Sequence, residues 1–261
     1  MKTFSRRVRV DVARSQVLIG TALNAAPLSR RHKLVFTRSV TLKPNVAHAL
    51  LRLGRCERHT RLLDPCCGSG TIPLEAAEAL GTTAHGVDKS ARVAQGAAAN
   101  AEAAGLTHLA TFTPGNARSL DRLFAAGSFD LIVTNAPWGL QTAKGGDELL
   151  RKIYHGLLQS GHAVLGAGGV MVILVLRWQL LLDLARRSGV WAVDDTVPIR
   201  TSNLTPVALV LRRLTSDPVK AQMAERLAPL QAYYGADGHR PPPPSGGPTE
   251  GAADAHSDAH D

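Results

Sequence analysis

Cysteine is scarce: Cys56, Cys66 and Cys67 are the three in 261 residues. That is too few for a disulfide framework, and no CxxC pair or His-rich spacing marks a zinc site. The sequence therefore points to no metal and to a reducing, cytoplasmic compartment. No apolar run approaches the roughly 20 residues of a membrane span; GVMVILVL at 169–176 stops at Arg177. Acid is nearly missing from the first 60 residues, where Asp11 and Glu57 stand against many Lys and Arg in a chain of net charge +9. Such a surface gains affinity for phosphates by neutralisation and counterion release. Residues 1–60 are the expected polyanion face, although charge alone does not choose between RNA, DNA and acidic lipid.

What is present, from residue 60 onward, is an alternation of short β-branched or apolar runs with amphipathic stretches. Strands are expected at 61–66, 84–89, 110–117, 129–137, 169–176, 191–200 and 206–214. Helices are expected between them: 71–81 closed by Gly81, 90–105 capped by Ser90, 147–165 interrupted by Gly156 and Gly161, and 178–189. The expected fold class is α/β, a doubly wound, mostly parallel seven-stranded sheet whose ligands sit beyond the carboxyl ends of its strands. Ahead of it, residues 1–58 form a basic segment of short strands, as in RVRVDV, and a lead-in helix. The main domain runs over 59–235 and ends in a helix begun by Asp217 and Pro218. Residues 236–261, rich in Pro, Gly and acid, cannot bury enough apolar area to fold.

Two strand-to-helix turns carry the chemistry. DPCCGSGT (64–71) has glycines that allow a tight turn and close approach to a ligand, and the helix that follows offers free amides to an anionic group. It is neither GxGxxG nor a phosphate loop. Asp64 ends one strand and Asp88 the next; an acid at the second position accepts hydrogen bonds from ribose hydroxyls, and one at the first suits a cation. NAPWG (135–139) follows the fourth strand. An Asn-x-Pro-x-Gly string is by itself an ordinary turn.

Taken together these stretches resemble a known family. DPCCGSGTIPLEAA is similar to the first motif of class I S-adenosylmethionine-dependent methyltransferases, in the DPxCGSGTxxxEAA form of the THUMP-associated RNA guanine-N2 methyltransferases. APLSRRHKLVFTRSVTLKPNVAHALLRL (26–53) is similar to that family's PLxxRxYR…LxPxxAxxLLxL segment, and NAPWG to its (N/D)PP(Y/F)G catalytic loop. The resemblance covers about residues 8 to 214 and implies S-adenosylmethionine as cofactor. It implies cofactor contacts from Asn45, Asp64, Cys66, Gly68, Gly70, Thr71, Asp88, Lys89, Asn116, Ala117 and Asn135. Catalysis would fall to Asn135, Ala136, Pro137 and Trp138, and RNA contact to Arg30, Arg31, Lys33 and Arg38.

Four departures stand out. Ala136 replaces the loop's first proline, so the fixed backbone angle of that residue is lost while its carbonyl remains. Asn116 stands where GDA is common and would meet the adenine amine through an amide oxygen; Asn45 takes a Thr or Ser position. Family members usually carry a THUMP domain that grips RNA, for which the first 58 residues leave no room, so docking would fall to the basic segment or to a protein partner.

An exocyclic amine is a poor nucleophile because its lone pair delocalises into the ring. Acceptors on both amine protons, the Asn135 side-chain oxygen and the Ala136 carbonyl, would turn that lone pair toward the methyl group, while Trp138 stacks on the flipped base. The expected activity is formation of N2-methylguanosine, in tRNA before rRNA. Two alternatives stay open: adenine-N6 methylation of DNA or glutamine methylation of protein by the same loop, and a catalytically impaired, partner-dependent RNA-binding subunit.

Overall fold

The computed structural model describes residues 7–13, 16–22, 28–31, 34–139, 146–201 and 204–214. All lie in the first of two compact units, Met1–Thr215. The expected terminal helix (217–235) and tail (236–261) lie outside the described residues.

β1 (Arg7–Ala13) and β2 (Gln16–Ala22) form an antiparallel hairpin apart from the main sheet. The alternation in RVRVDV puts Val8, Val10 and Val12 on one face, across from Thr21, Ile19 and Val17. α1 (Pro44–Leu53) opens with proline at its first position, where no amide hydrogen bond is forfeited.

Seven strands then build one sheet in the order β5-β4-β3-β6-β7-β9-β8. They are β3 (Leu62–Asp64), β4 (Ala84–Asp88), β5 (Ala110–Pro114), β6 (Phe129–Asn135), β7 (Leu165–Val175), β8 (Trp191–Pro198) and β9 (Val207–Arg213). The first five are mutually parallel; β9 runs antiparallel between β7 and β8. The crossovers are α2 (Thr71–Leu80), α3 (Ala91–Ala103), α4 (Gly146–Val164) and α5 (Trp178–Ser188), with a short 3-10 turn, Leu120–Arg122, between β5 and β6. Burial on both faces explains the nearly continuous apolar strands. Along β6 and β7, Ile132, Met171, Ile173 and Val175 join the core beneath α4 and α5, while Leu131, Val133, Val172 and Leu174 join the core beneath α1 and α2.

From β3 the chain leaves toward β4 and β5 and returns to β6 on the other side. The switch point of the sheet therefore lies between β3 and β6, and the crevice at their carboxyl ends is where such sheets bind ligands.

Several local expectations need correction. Gly156 and Gly161 do not interrupt α4, which is continuous. They mark close approaches: a Cβ on Gly161 would lie 2.0 Å from the Met171 methyl, and one on Gly156 would lie 2.7 Å from the Arg118 Cβ. β7 starts at Leu165 and reads through the glycines before Val170. β5 ends at Pro114 and β6 at Asn135, earlier than expected. Ser90 occupies the N-cap of α3 without a side-chain cap; its own amide is instead bound by Asp88 Oδ1 at 3.0 Å.

Candidate active site

Asp64, the last residue of β3, is 1% exposed. Its Oδ1 accepts hydrogen bonds from Thr134 Oγ1 on β6 at 2.7 Å and from the Cys66 amide at 3.1 Å, a link directly across the switch point. Burial pushes its carboxyl up to about 7, with these two hydrogen bonds acting against it. Asp88, at the end of β4, braces two turns: Oδ2 accepts from the Gly68 amide at 3.3 Å and Oδ1 from Ser90. The turn is tied to β4 by the Cys67 amide, which donates to the Val87 carbonyl at 2.9 Å. Burial also pushes the Cys66 thiol up to about 12, so it stays protonated and is no nucleophile.

Gly68 and Gly70 have φ of 54° and 83°, a region that costs other residues strain. They serve different ends. A Cβ on Gly70 would lie 2.9 Å from the Phe112 ring, so this glycine lets the turn pack down on the sheet; a Cβ on Gly68 would meet nothing within 4 Å. Gly68 thus faces open space beside two buried carboxylates and the uncapped amino end of α2. That cradle fits a ligand combining a cation, ribose hydroxyls and a carboxylate.

The segment before α1 is bonded onto this turn. Asn100 of α3, 1% exposed, accepts from the Phe36 amide and donates to the Phe36 carbonyl, both at 2.8 Å, and donates to the Ser69 carbonyl at 2.9 Å. Thr41 Oγ1 lies 3.2 Å from Ser69 Oγ. Glu75, fully buried on α2, receives Arg31 and the His48 ring, the latter at 2.9 Å. Arg38 Nη1 lies 3.9 Å from Asp88 Oδ2. Two of the four residues expected to meet RNA are therefore turned toward carboxylates of the turn and its helix. The Arg30 side chain and Lys33 lie outside the described residues.

The second loop is held by neutral groups. Trp138 Nε1 donates to Asn135 Oδ1 at 3.0 Å. An indole N–H can only donate, so it fixes the Asn135 amide with its oxygen on that side and leaves one lone pair for a further donor. Ala136 is 2% exposed and packs into the core beneath α4. The Pro137 carbonyl accepts from Tyr154 Oη of α4 at 2.6 Å. Tyr154 is fully buried, and burial raises its phenol well above the ordinary value, so it remains a donor. Trp138 is half-buried, packed against the core beneath α1 and α2.

The other expected residues differ in exposure. Thr71 is buried at the start of α2, Lys89 and Asn116 are exposed after β4 and β5, and Ala117 is half-buried. Asn116 Oδ1 accepts from the Arg118 amide at 3.0 Å. Asn45 is exposed on the first turn of α1 and makes no side-chain hydrogen bond among the described residues. Arg177 pairs with Asp147 at 3.2 Å. Thr134, Asn100, Glu75 and Tyr154 are functional neighbours that motif reading passed over, although Glu75 lies inside the quoted DPCCGSGTIPLEAA string.

A family model described as UPF0020, RMKL-like methyltransferase domain, matches residues 31–201. The chain belongs to this family. The match takes in both loops of this UPF0020 domain. The chain is 40% identical over 210 residues to a tRNA (guanine(6)-N2)-methyltransferase of Thermus thermophilus, covering 80% of this chain and 60% of the relative. It is 32% identical over 143 residues to a tRNA (guanine(10)-N2)-dimethyltransferase of Methanothermobacter thermautotrophicus, covering 55% and 41%. The crystal structure of TrmN from Thermus thermophilus superposes with a TM-score of 0.68 at 34% identity, covering 82% of this chain and 61% of that one. The UPF0020 domain thus has the class I methyltransferase fold, and the chain spans about 60% of the Thermus relative's length.

Proposed function

We propose that this chain transfers a methyl group from S-adenosylmethionine to the exocyclic N2 of a guanine in RNA, with tRNA the favoured substrate. The observation that carries this reading is the pairing, at one switch point, of the cofactor-type cradle over Gly68 with an Asn135 oxygen oriented by an indole. The guanine-N2 activity in the relatives' names supports the base and position.

Bound in the cradle, the cofactor supplies an electrophilic methyl group on a sulfonium. Asp64 favours that positive charge and Asp88 accepts from ribose hydroxyls; Gly68 lets the backbone approach closely. Asn135 Oδ1 and the Ala136 carbonyl accept the two amine hydrogens of the guanine, turning the nitrogen lone pair toward the methyl carbon. Trp138 offers a ring edge or face to the flipped base while its N–H holds Asn135. No side chain of the loop is a strong base, so the proton released after transfer passes to water. Three free cysteines and an RNA substrate support a cytoplasmic location as part of this reading. Among the described residues no helix is long and apolar enough to cross a membrane.

Incubation with methyl-labelled cofactor and tRNA, followed by digestion to nucleosides, tests the reading: label is expected in N2-methylguanosine. Label in an adenosine or in protein sinks it. A chain that binds cofactor yet needs a second protein for transfer would instead support the partner-dependent reading, which the departures at Ala136 and Asn116 favour.

A further inference from the structure

With Arg31 and Arg38 turned to carboxylates beside the cofactor turn, a second basic surface becomes the better candidate for holding a polyanion. It lies on the other face of the sheet, between the loop after β5 and α4. There Asn116, Arg118, Arg122, Lys152, His155 and Gly156 line an open groove of about 400 Å³. Arg118 and Arg122 are exposed, and among the described residues neither has a carboxylate partner; Asp121, between them in sequence, pairs with neither. Lys152 pairs with Glu148 of the same helix at 3.4 Å, both about two-thirds exposed, a contact that water screens and a phosphate can replace.

The groove is shaped as well as charged. Gly156 stands in mid-helix, a position where glycine is the least favourable residue after proline. A Cβ there would come within 2.7 Å of Arg118 Cβ and 2.8 Å of its Cγ. The glycine lets the arginine stem lie against α4. Ser160 Oγ, one turn on, donates to the Ala117 carbonyl at 2.6 Å, fixing the loop that carries Arg118. The same helix holds the catalytic-type loop through Tyr154 and the Pro137 carbonyl.

We propose that this groove grips the sugar-phosphate backbone of the RNA whose guanine enters the Asn135 loop. The assignment rests on the guanine reading above for the identity of the base, and on charge and shape for the phosphate. Arg118 and Arg122 supply the guanidinium forks, Lys152 a point charge. α4 sets the register between phosphate and base, because its residues back both places.

The test measures binding of fluorescein-labelled tRNA transcript against salt for the wild type, for Arg118→Gln with Arg122→Gln, and for a control of equal charge change on α5, Arg186→Gln with Arg187→Gln. Each phosphate contact contributes roughly 0.7–0.9 to the slope of log Kd against log salt. The groove variant is expected to lose about one and a half of that slope and to bind roughly tenfold more weakly. Its KM for RNA rises while kcat at saturating RNA and calorimetric affinity for S-adenosylmethionine hold; the α5 control moves little. Identical slopes for groove and control variants overturn the proposal. So does loss of cofactor affinity without loss of RNA affinity, or displacement of tRNA by inorganic phosphate at matched ionic strength, which marks a small-anion site. Wild-type protein that binds no tRNA overturns it too. Wild-type protein that binds tRNA through the groove but transfers no methyl group sinks the guanine reading and leaves the groove standing.

Discussion

The cofactor turn and the NAPWG loop leave adjacent strands at the same edge of the sheet, yet they are stabilised by opposite means. The turn is built on charge: two buried carboxylates, each bonded to backbone amides of the turns they hold. The loop is built on neutral donors, an indole and a phenol, each aimed at one oxygen. A site for a cationic ligand needs carboxyl acceptors that are already positioned. A site that only orients an amine needs acceptors without basicity. The difference also locates the cost of each departure from the family pattern. Ala136 removes a restraint from a loop that Tyr154 still fixes from outside and Trp138 from within.

The sharpest way to break the contrast is Asn135→Ala. It removes an acceptor from the loop and leaves the turn alone, so methyl transfer should fall by at least about 100-fold, the scale of losing one positioned polar group in an active site. Calorimetric affinity for S-adenosylmethionine should persist. Transfer near the wild-type rate would refute the amine-orienting role.

The charged side is probed by pH. Asp64 has its carboxyl raised to about 7 by burial. Below that value it is neutral and offers a cationic ligand little; a bound cation draws the proton off. Cofactor affinity should therefore rise with pH, by roughly tenfold per unit below 7, and level off above it. Asp64→Asn should bind weakly with a flat profile. The linkage to folding has the opposite sense. Because the folded value is raised above the unfolded one of 3.8, the carboxyl's contribution to the ligand-free chain is fully present below about 3.8. It is lost as pH rises through about 7. Thermal melts of wild type and Asp64→Asn should diverge across that window, and parallel melts would contradict the raised value.

How much of this could be read from the sequence follows the same division. Both loops announce themselves locally, since Gly, Pro and acid at strand ends constrain their own neighbours. Seven strands alternating with helices were legible from the apolar runs; their order across the sheet was not. The braces were not, because each joins distant residues: Asn100 to Phe36 across 64 positions, Thr134 to Asp64 across 70, Tyr154 to Pro137 across 17. Asn100 did leave a trace, as the one amide on the buried face with Ala94, Ala97 and Ala101. Gly156 and Gly161 misled because glycine weakens an isolated helix, and only the tertiary contacts of Arg118 and Met171 show why it is needed. Arg31 and Arg38 show a different limit of reading a sequence. Charge counts cannot tell a cation facing solvent from one facing Glu75 or Asp88.

Tyr154→Phe tests whether the phenol stands in for the missing proline. Loss of one buried hydrogen bond should cost about 1–1.5 kcal/mol of stability, and a loop freed by that amount should transfer roughly five- to tenfold more slowly. Cofactor affinity should be unchanged. Adding Ala136→Pro restores the backbone restraint by another route, so the double variant should recover part of the rate, with a coupling that a double-mutant cycle measures. Strict additivity of the two changes would show that Tyr154 and the backbone at position 136 act independently.

The smallest effect is expected from Trp138→Phe. A phenyl ring retains a stacking face and most of the contact with the core beneath α1 and α2, but it has no N–H for Asn135 Oδ1. The amide is then free to turn over and present its NH₂ to the guanine amine, a donor facing a donor. Only the fraction of time spent in the productive orientation is lost, so kcat should fall by a factor of about 2 to 10, equivalent to roughly 0.5–1.5 kcal/mol of orientation. Stopped-flow single-turnover rates isolate this step from product release. If Trp138→Phe matched Asn135→Ala in severity, the indole would be a contact to the base in its own right. If it were silent, the orientation of Asn135 would have to come from substrate alone.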